Sequence, residues 1–343
     1  MTALGILWFI LIAVLITGYF VLDGFDLGCG LLYPFVATDE RERGIVRRAI
    51  GPVWDGNEVW LLTAGGALFA AFAPAYAASF SGFYLAIMLV LFGLIVRACA
   101  LEFRAHDHGS WVRLWDALFF VGSLLPALLF GVAVGNVVQG IDLNEAGDYV
   151  GGFFALLNPF ALACGVLGLV HMLLLGSTWL SLKAPEDSAL KVRVSVLRPV
   201  FAAADLAMFA LASVIFFVQV VPASAVGVTA TLPACLFALV YLASTIAIAV
   251  LKAGCHVSDV VRHLLASVGC AGLVGMVACS LFPYLIPATE ARFSITIASA
   301  ASTDASLAAM TVIACIGVPL VLAYHVIAYR IFRGRLKDAD LEY

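Results

Sequence analysis

The chain has 343 residues, of which 64% are apolar types and only 12% are charged, with a mean hydropathy of +1.10. A soluble domain is nearer half apolar and a quarter charged, so this composition excludes one and predicts a protein embedded in lipid. The net charge of −4 decides nothing about partners, because its distribution matters more than its sum, and no nucleic-acid partner is expected.

Repeated apolar runs of about 20 residues predict membrane-spanning helices rather than a barrel. The first run begins without Lys or Arg in residues 1–5 and continues past residue 20 into Asp23. It therefore reads as a first span and not as a cleavable signal, which needs a positive start and a small-residue cleavage site. Nine spans are predicted, at about 5–34, 51–72, 77–101, 112–138, 153–180, 199–221, 229–251, 262–286 and 307–332. The second is the most polar, opening "GPVWDGNEVW" with Asp55 and Glu58 on one helical face.

The basic residues test that count. All but Arg292 of the 18 Lys and Arg residues fall on one side of a nine-span chain, in the loops after spans one, three, five, seven and nine. The positive-inside rule then places the N-terminus outside and the C-terminus in the cytoplasm. Without the second span every later loop would change sides and the bias would collapse. The opposite face carries the acidic loop "QGIDLNEAGDYVGG" and the nearly neutral "TEARFSITIASAASTDAS". No loop is long enough for a soluble domain and no repeat or linker divides the chain, so residues 1–343 read as one polytopic membrane domain. Gly24-x-x-x-Gly28, Gly65-Gly66 and Gly131-x-x-x-Gly135 read as small-residue patches for close helix packing. The eight cysteines (29, 99, 164, 235, 255, 270, 279 and 315) are scattered, form no C-x-x-C pair and read as packing residues.

A charge at bilayer depth costs several kcal/mol, so it is kept where it is paired, wet or useful. The carboxylates that qualify are Asp23 and Asp26 in span one, Asp55 and Glu58 at the start of span two, Glu102 at the end of span three, Asp116 opening span four and Asp205 in span six. Glu58 and Asp116 read as helix-end groups, the first turn of a helix favouring an anion. Glu102 has an arginine to pair with on either side, Arg97 and Arg104. Asp26 lies about two turns from the basic loop and Asp23 deeper still, and two carboxylates at that depth have the profile of a proton relay. His171 and His325 lie inside spans, where histidine can hold haem iron, but packing is the preferred reading of His171. His106, His108, His256 and His263 read as loop or interface residues.

The stretches "GYFVLDGFDLGCGLLYPF", "GPVWDGNEVWLLTAGGALFAAFAPAYAASFSGFYLA" and "RACALEFR" resemble subunit II of the cytochrome bd-type quinol oxidases, as do "LLNPFALACGV" and "LFPYLIP". The resemblance implies an all-α integral membrane fold of nine transmembrane helices, arranged as two four-helix bundles plus a peripheral helix. It implies a complex in a bacterial or archaeal cytoplasmic membrane that oxidises quinol and reduces dioxygen to water. Two haems b and one haem d would sit in the partner subunit I, and none in this chain. A small single-span accessory subunit belongs to some such complexes. Some members hold a structural quinone in this subunit, and no motif here decides that point. By motif, Asp26 of "DGFD" and Asp55 of "WDGN" fall on the family's proton path at the subunit interface, and Asp23 is added as a candidate from its depth. Glu102 sits where other members can carry Asp, Arg97 is the implied counter-charge, and Trp60 matches a tryptophan on a lateral dioxygen route in some members. Between the two acids of span two, Asp55 reads as the proton carrier and Glu58 as a helix-start anion. Apart from the resemblance, intramembrane carboxylates would suggest a proton-coupled secondary transporter, and a purely structural scaffold is a third reading.

Overall fold

The structure, a computed structural model, describes residues 1–107, 109–251 and 258–337. His108, Lys252, Cys255 and His256 lie outside the described residues. In chain order the helices are α1 (Ala3–Val36), α2 (Glu40–Ile50), α3 (Trp54–Ala71), α4 (Ala73–Gly82), α5 (Tyr84–His106), α6 (Val112–Gln139), α7 (Pro159–Lys183), α8 (Ala189–Ile215), α9 (Val221–Ala223), α10 (Leu232–Val250), α11 (Asp259–Leu281), α12 (Ile297–Ala300) and α13 (Asp304–Ile331). Their starts follow local chemistry. Thr2, Asn158, Ser188, Thr231 and Ser258 each accept a hydrogen bond from a free backbone N–H of the first turn they cap. Pro159 and Pro233 stand in first turns, where the missing N–H costs nothing.

Among the described residues, eight helices are long and apolar enough to cross a membrane: α1, α5, α6, α7, α8 with its continuation through α9, α10, α11 and α13. The expected second span, α3, is not one of the eight, because Asp55, Asn57 and Glu58 crowd its first turns. It nevertheless runs back along α1. Asn57 bonds Asp26, while Ala71 packs beside Trp8 and Ile12 at the far end. Its 18 residues cover about 27 Å at ~1.5 Å per residue.

Helix α1 packs on α3, α6 and α7, and α5 packs on α6. Helices α7, α8, α10 and α11 form the second group of four. Helix α13 lies at the edge against α1 and α3, with Leu307 and His325 its buried residues. The two groups meet where α1 crosses α7. A Cβ on Gly28 would overlap the Met172 carbonyl, and one on Gly176 would overlap the Gly28 backbone. The Gly24-x-x-x-Gly28 patch thus permits close approach. A Cβ on Gly65 or Gly66, by contrast, would meet no atom within 4 Å beyond the helix's own backbone.

Five elements differ from the sequence reading. The third span begins at Tyr84 rather than near 77, because α4 takes Ala73–Gly82, and the fifth begins at Pro159 rather than near 153. Residues 40–50, read as a basic loop, form the amphipathic helix α2, capped by Asp39 and burying Ile45, Val46, Ala49 and Ile50. Helix α8 begins at Ala189 rather than near 199, because Ser188 caps it and its first turns carry Lys191 and Arg193 outside the apolar layer. The eighth span ends at Leu281 and not at 286. Pro283 biases Phe282 away from helix, and the chain turns into a two-stranded antiparallel hairpin, β1 (Tyr284–Ile286) with β2 (Ile295–Thr296). Ile141 of the acidic loop bridges to Ala288 beside that hairpin.

Candidate functional site

The first helix group buries a polar cluster at its centre. Asp23 and Asp26 of α1, Asn57 of α3 and Arg97 of α5 are all fully buried. Arg97 Nη2 donates to Asp23 Oδ1 at 2.6 Å and also to Glu58 Oε1. Asn57 Nδ2 donates to Asp26 Oδ2 at 2.8 Å, and Tyr329 of α13 donates its hydroxyl to Asn57 Oδ1 at 2.9 Å. Glu58 is half-buried, its side chain 23% exposed, so the cluster opens on the free face of α3. Asp23 Oδ2, Asp26 Oδ1, Arg97 Nε and Nη1 and the Tyr19 hydroxyl are buried with hydrogen-bonding capacity left over. Burying such groups unpaired costs about 1–3 kcal/mol each, more when they are charged. One guanidinium cannot neutralise Asp23, Asp26 and Glu58 together when all three are ionised.

The expected site residues divide. Asp23, Asp26 and Arg97 come together, and Arg97 is the counter-charge of Asp23 and Glu58. Asp55 is exposed, one turn before Glu58 on α3, and Glu102 is exposed on α5. Neither Asp55 nor Glu102 makes an ion pair among the described residues. Of the two acids of "WDGNE", the one read as a helix-start anion therefore touches the cluster, and the one read as the carrier stands outside it. Trp60 is buried against Gly18, and its indole N–H donates to His325 Nε2 at 3.1 Å. That bond fixes the tautomer. Nε2 must accept, so Nδ1 carries the proton it gives to the Val321 carbonyl at 2.9 Å. An apolar cavity of about 240 Å³, lined by Gly56, Val59, Leu320, Val321, Tyr324 and His325, lies beside this pair between α3 and α13.

At the basic face Asp116 accepts from Tyr33, Arg43 and Arg104, while Glu40 pairs with Arg47 and Arg104. Asp116 thus joins a network spanning α1, α2, α5 and α6 and is more than a helix-end group. Burial pushes the Glu42 carboxyl up, but the Thr38 N–H and hydroxyl and Arg193 outweigh it and hold Glu42 below the usual range.

The second group buries a different pair. His171 Nδ1 lies 2.9 Å from Asp205 Oδ2, and Nε2 lies 3.2 Å from the Ala266 carbonyl. Both ring nitrogens are engaged, as are those of His325. Among the described residues no cluster of three or more His, Cys, Asp or Glu could hold a metal ion. Sequence reasoning missed Asn57, Tyr329 and the Glu58–Arg97 contact. It also missed the His171–Asp205 pair, which depends on how α7 and α8 are rotated against each other.

The family model for cytochrome bd terminal oxidase subunit II matches residues 4–332. The chain belongs to that family. It is 35% identical to a probable cytochrome oxidase subunit 2 of Haemophilus influenzae, over 98% of this chain and 96% of that protein. It is 33% identical to the cytochrome bd-I ubiquinol oxidase subunit 2 of Escherichia coli, over 99% and 97%. With the cytochrome bd ubiquinol oxidase subunit 2 of Bacillus subtilis it shares 32% identity, over 99% of both. In fold it resembles a chain of the bd oxidase from Geobacillus thermodenitrificans, with a TM-score of 0.77 at 15% identity, over 96% of this chain and 99% of that one.

Proposed function

We propose that this chain is the haem-free subunit II of a quinol:dioxygen oxidoreductase in a bacterial or archaeal cytoplasmic membrane. It shields the haem-bearing subunit I from lipid and supplies protons from the cytoplasm for reduction of dioxygen to water. The haems of subunit I would carry electrons from quinol to dioxygen, and the residues of this chain move protons. The observation that carries the reading is the continuous polar contact from half-buried Glu58 through Arg97 to fully buried Asp23, with Asp26 and Asn57 beside it.

Subunit I docks on the face made by α3, α5 and α13. A carboxylate facing lipid costs about 2.5 kcal/mol or more, so half-buried Glu58 needs a partner over it, while Asp55 stays at the watery rim. The open Gly65-Gly66 surface on α3 suits such an approach. The basic loops put the mouth of the cluster on the cytoplasmic side, with the N-terminus outside and the 1–343 chain acting as one unit. In the proposed path Asp55 and Glu102 collect protons at the surface, Glu58 receives them, and Asp23 and Asp26 hold them beside Arg97. The apolar cavity next to His325 and Trp60 suits dioxygen, which needs no polar group to guide it.

Asp26→Asn in the assembled complex tests this. Its expected result is a fall in quinol oxidase turnover with the haem absorption spectrum unchanged. Normal turnover with a full haem complement would defeat the proton role and leave a scaffold.

A further inference from the structure

The basic face holds a second cavity that the proton path does not use. It measures about 180 Å³ and lies between the end of α2, the turn into α3, the end of α7 and the end of α13. Arg48, Lys183, Arg333 and Arg335 line it, together with Pro52 and Phe332. Most arginines nearby are spoken for. Arg43 pairs with Asp116, Arg47 with Glu40, Arg193 with Glu42 and Arg335 with Glu186 and Asp259. Arg48, Lys183 and Arg333 have no carboxylate partner among the described residues. Lys183 is more than nine-tenths buried, with its ammonium 4.9 Å from the centre of the Trp179 ring. It donates one hydrogen bond, to the Phe332 carbonyl at 2.5 Å, which leaves two of its three donors unused.

We propose that this cavity binds the phosphate of an anionic phospholipid headgroup. A cavity walled by helix ends on the positive-inside face lies at headgroup depth. Basic pockets between membrane helices on that side suit lipid phosphates. The volume is below the roughly 300 Å³ at which drug-sized pockets begin, so it takes a headgroup and not a whole metabolite. The four cations come from α2, α7 and the chain after α13, so the bound phosphate ties the peripheral helix to both helix groups. Arg335 is already neutralised and forms a wall, while Lys183, Arg48 and Arg333 supply the uncompensated charge.

The test uses the assembled complex in phosphatidylcholine nanodiscs doped with phosphatidylglycerol, followed by native mass spectrometry of the retained lipid. The wild-type complex keeps phosphatidylglycerol in preference to phosphatidylcholine, and millimolar inorganic phosphate does not displace it. Arg48→Gln with Arg333→Gln, both on the outer rim, lowers retention by about tenfold or more while haem content stays intact. Lys183→Gln also lowers retention, and Lys183→Arg restores it. Equal retention of the two lipids, or undiminished retention in the rim variant, would overturn the proposal. So would displacement of the lipid by inorganic phosphate, which would mark a free-anion site.

Discussion

Both helix groups bury a carboxylate against a basic side chain at mid-span, and they do so in opposite ways. In the second group His171 and Asp205 pair one to one, and their side chains are 3% and 0% exposed. In the first group Asp23, Asp26 and Glu58 share Arg97, and Glu58 reaches the surface. A closed one-to-one pair can hold helices together but has no route for exchange. An unbalanced cluster with an open mouth and spare hydrogen-bonding atoms can take up and release protons. The proposed proton role rests on that charge imbalance joined to a surface opening, and not on burial of charge alone.

The largest effect expected from breaking this contrast is at Arg97. Arg97→Met leaves Asp23 without its cation, and removing one partner of a buried ion pair costs about 3–5 kcal/mol. The expected outcome is loss of the haem-bearing complex from membranes, read by absorption spectrum and by yield. The sealed pair comes next. His171→Leu strands Asp205 at a similar cost, but adding Asp205→Leu recovers most of the thermal stability, because a packed apolar pair can replace a buried ionic one. Turnover per haem in the double variant stays at the wild-type value. A fall there would show that the second group also handles protons. Third is Glu58→Gln, which keeps the shape and a contact to Arg97 but carries no proton. Turnover is expected to fall by about a hundredfold, the low end of what a positioned acid–base group contributes. Haem content should not change, which separates this outcome from that of Arg97→Met.

Most of the architecture was legible because lipid leaves so few choices. Apolar runs and the basic-residue bias located eight long helices and the polar α3, although α5, α7 and α8 begin elsewhere than expected. Helix α2 was not legible, since its Arg and Glu residues read as loop until Ile45, Val46, Ala49 and Ile50 are seen buried on one side. Asp23, Asp26 and Arg97 could be named as candidates from depth and motif. That Arg97 holds Asp23 and Glu58 together could not, because it depends on the relative rotation of α1, α3 and α5, and spacing along one helix says nothing about another. Asn57 was hidden for the same reason. Its burial follows from α3 pressing against α1, where it bonds Asp26.

The smallest effect concerns the residue that the "WDGN" motif favoured. Asp55 is exposed, has no ion pair among the described residues and stands one turn from Glu58. A surface carboxylate at that spacing acts on its neighbour through a screened field worth about 0.5 kcal/mol. Asp55→Asn should therefore lower turnover by about twofold, the rate equivalent of that energy. The deficit should shrink as ionic strength rises, since salt screens an exposed charge and leaves a buried one nearly untouched. Glu58→Gln should be insensitive to salt. If Asp55→Asn proves as severe as Glu58→Gln, and equally indifferent to salt, then Asp55 is enclosed when subunit I docks. The opening of the first group would in that case be completed by the partner and not by this chain alone, and Asp55 would move from the rim of the path to its interior.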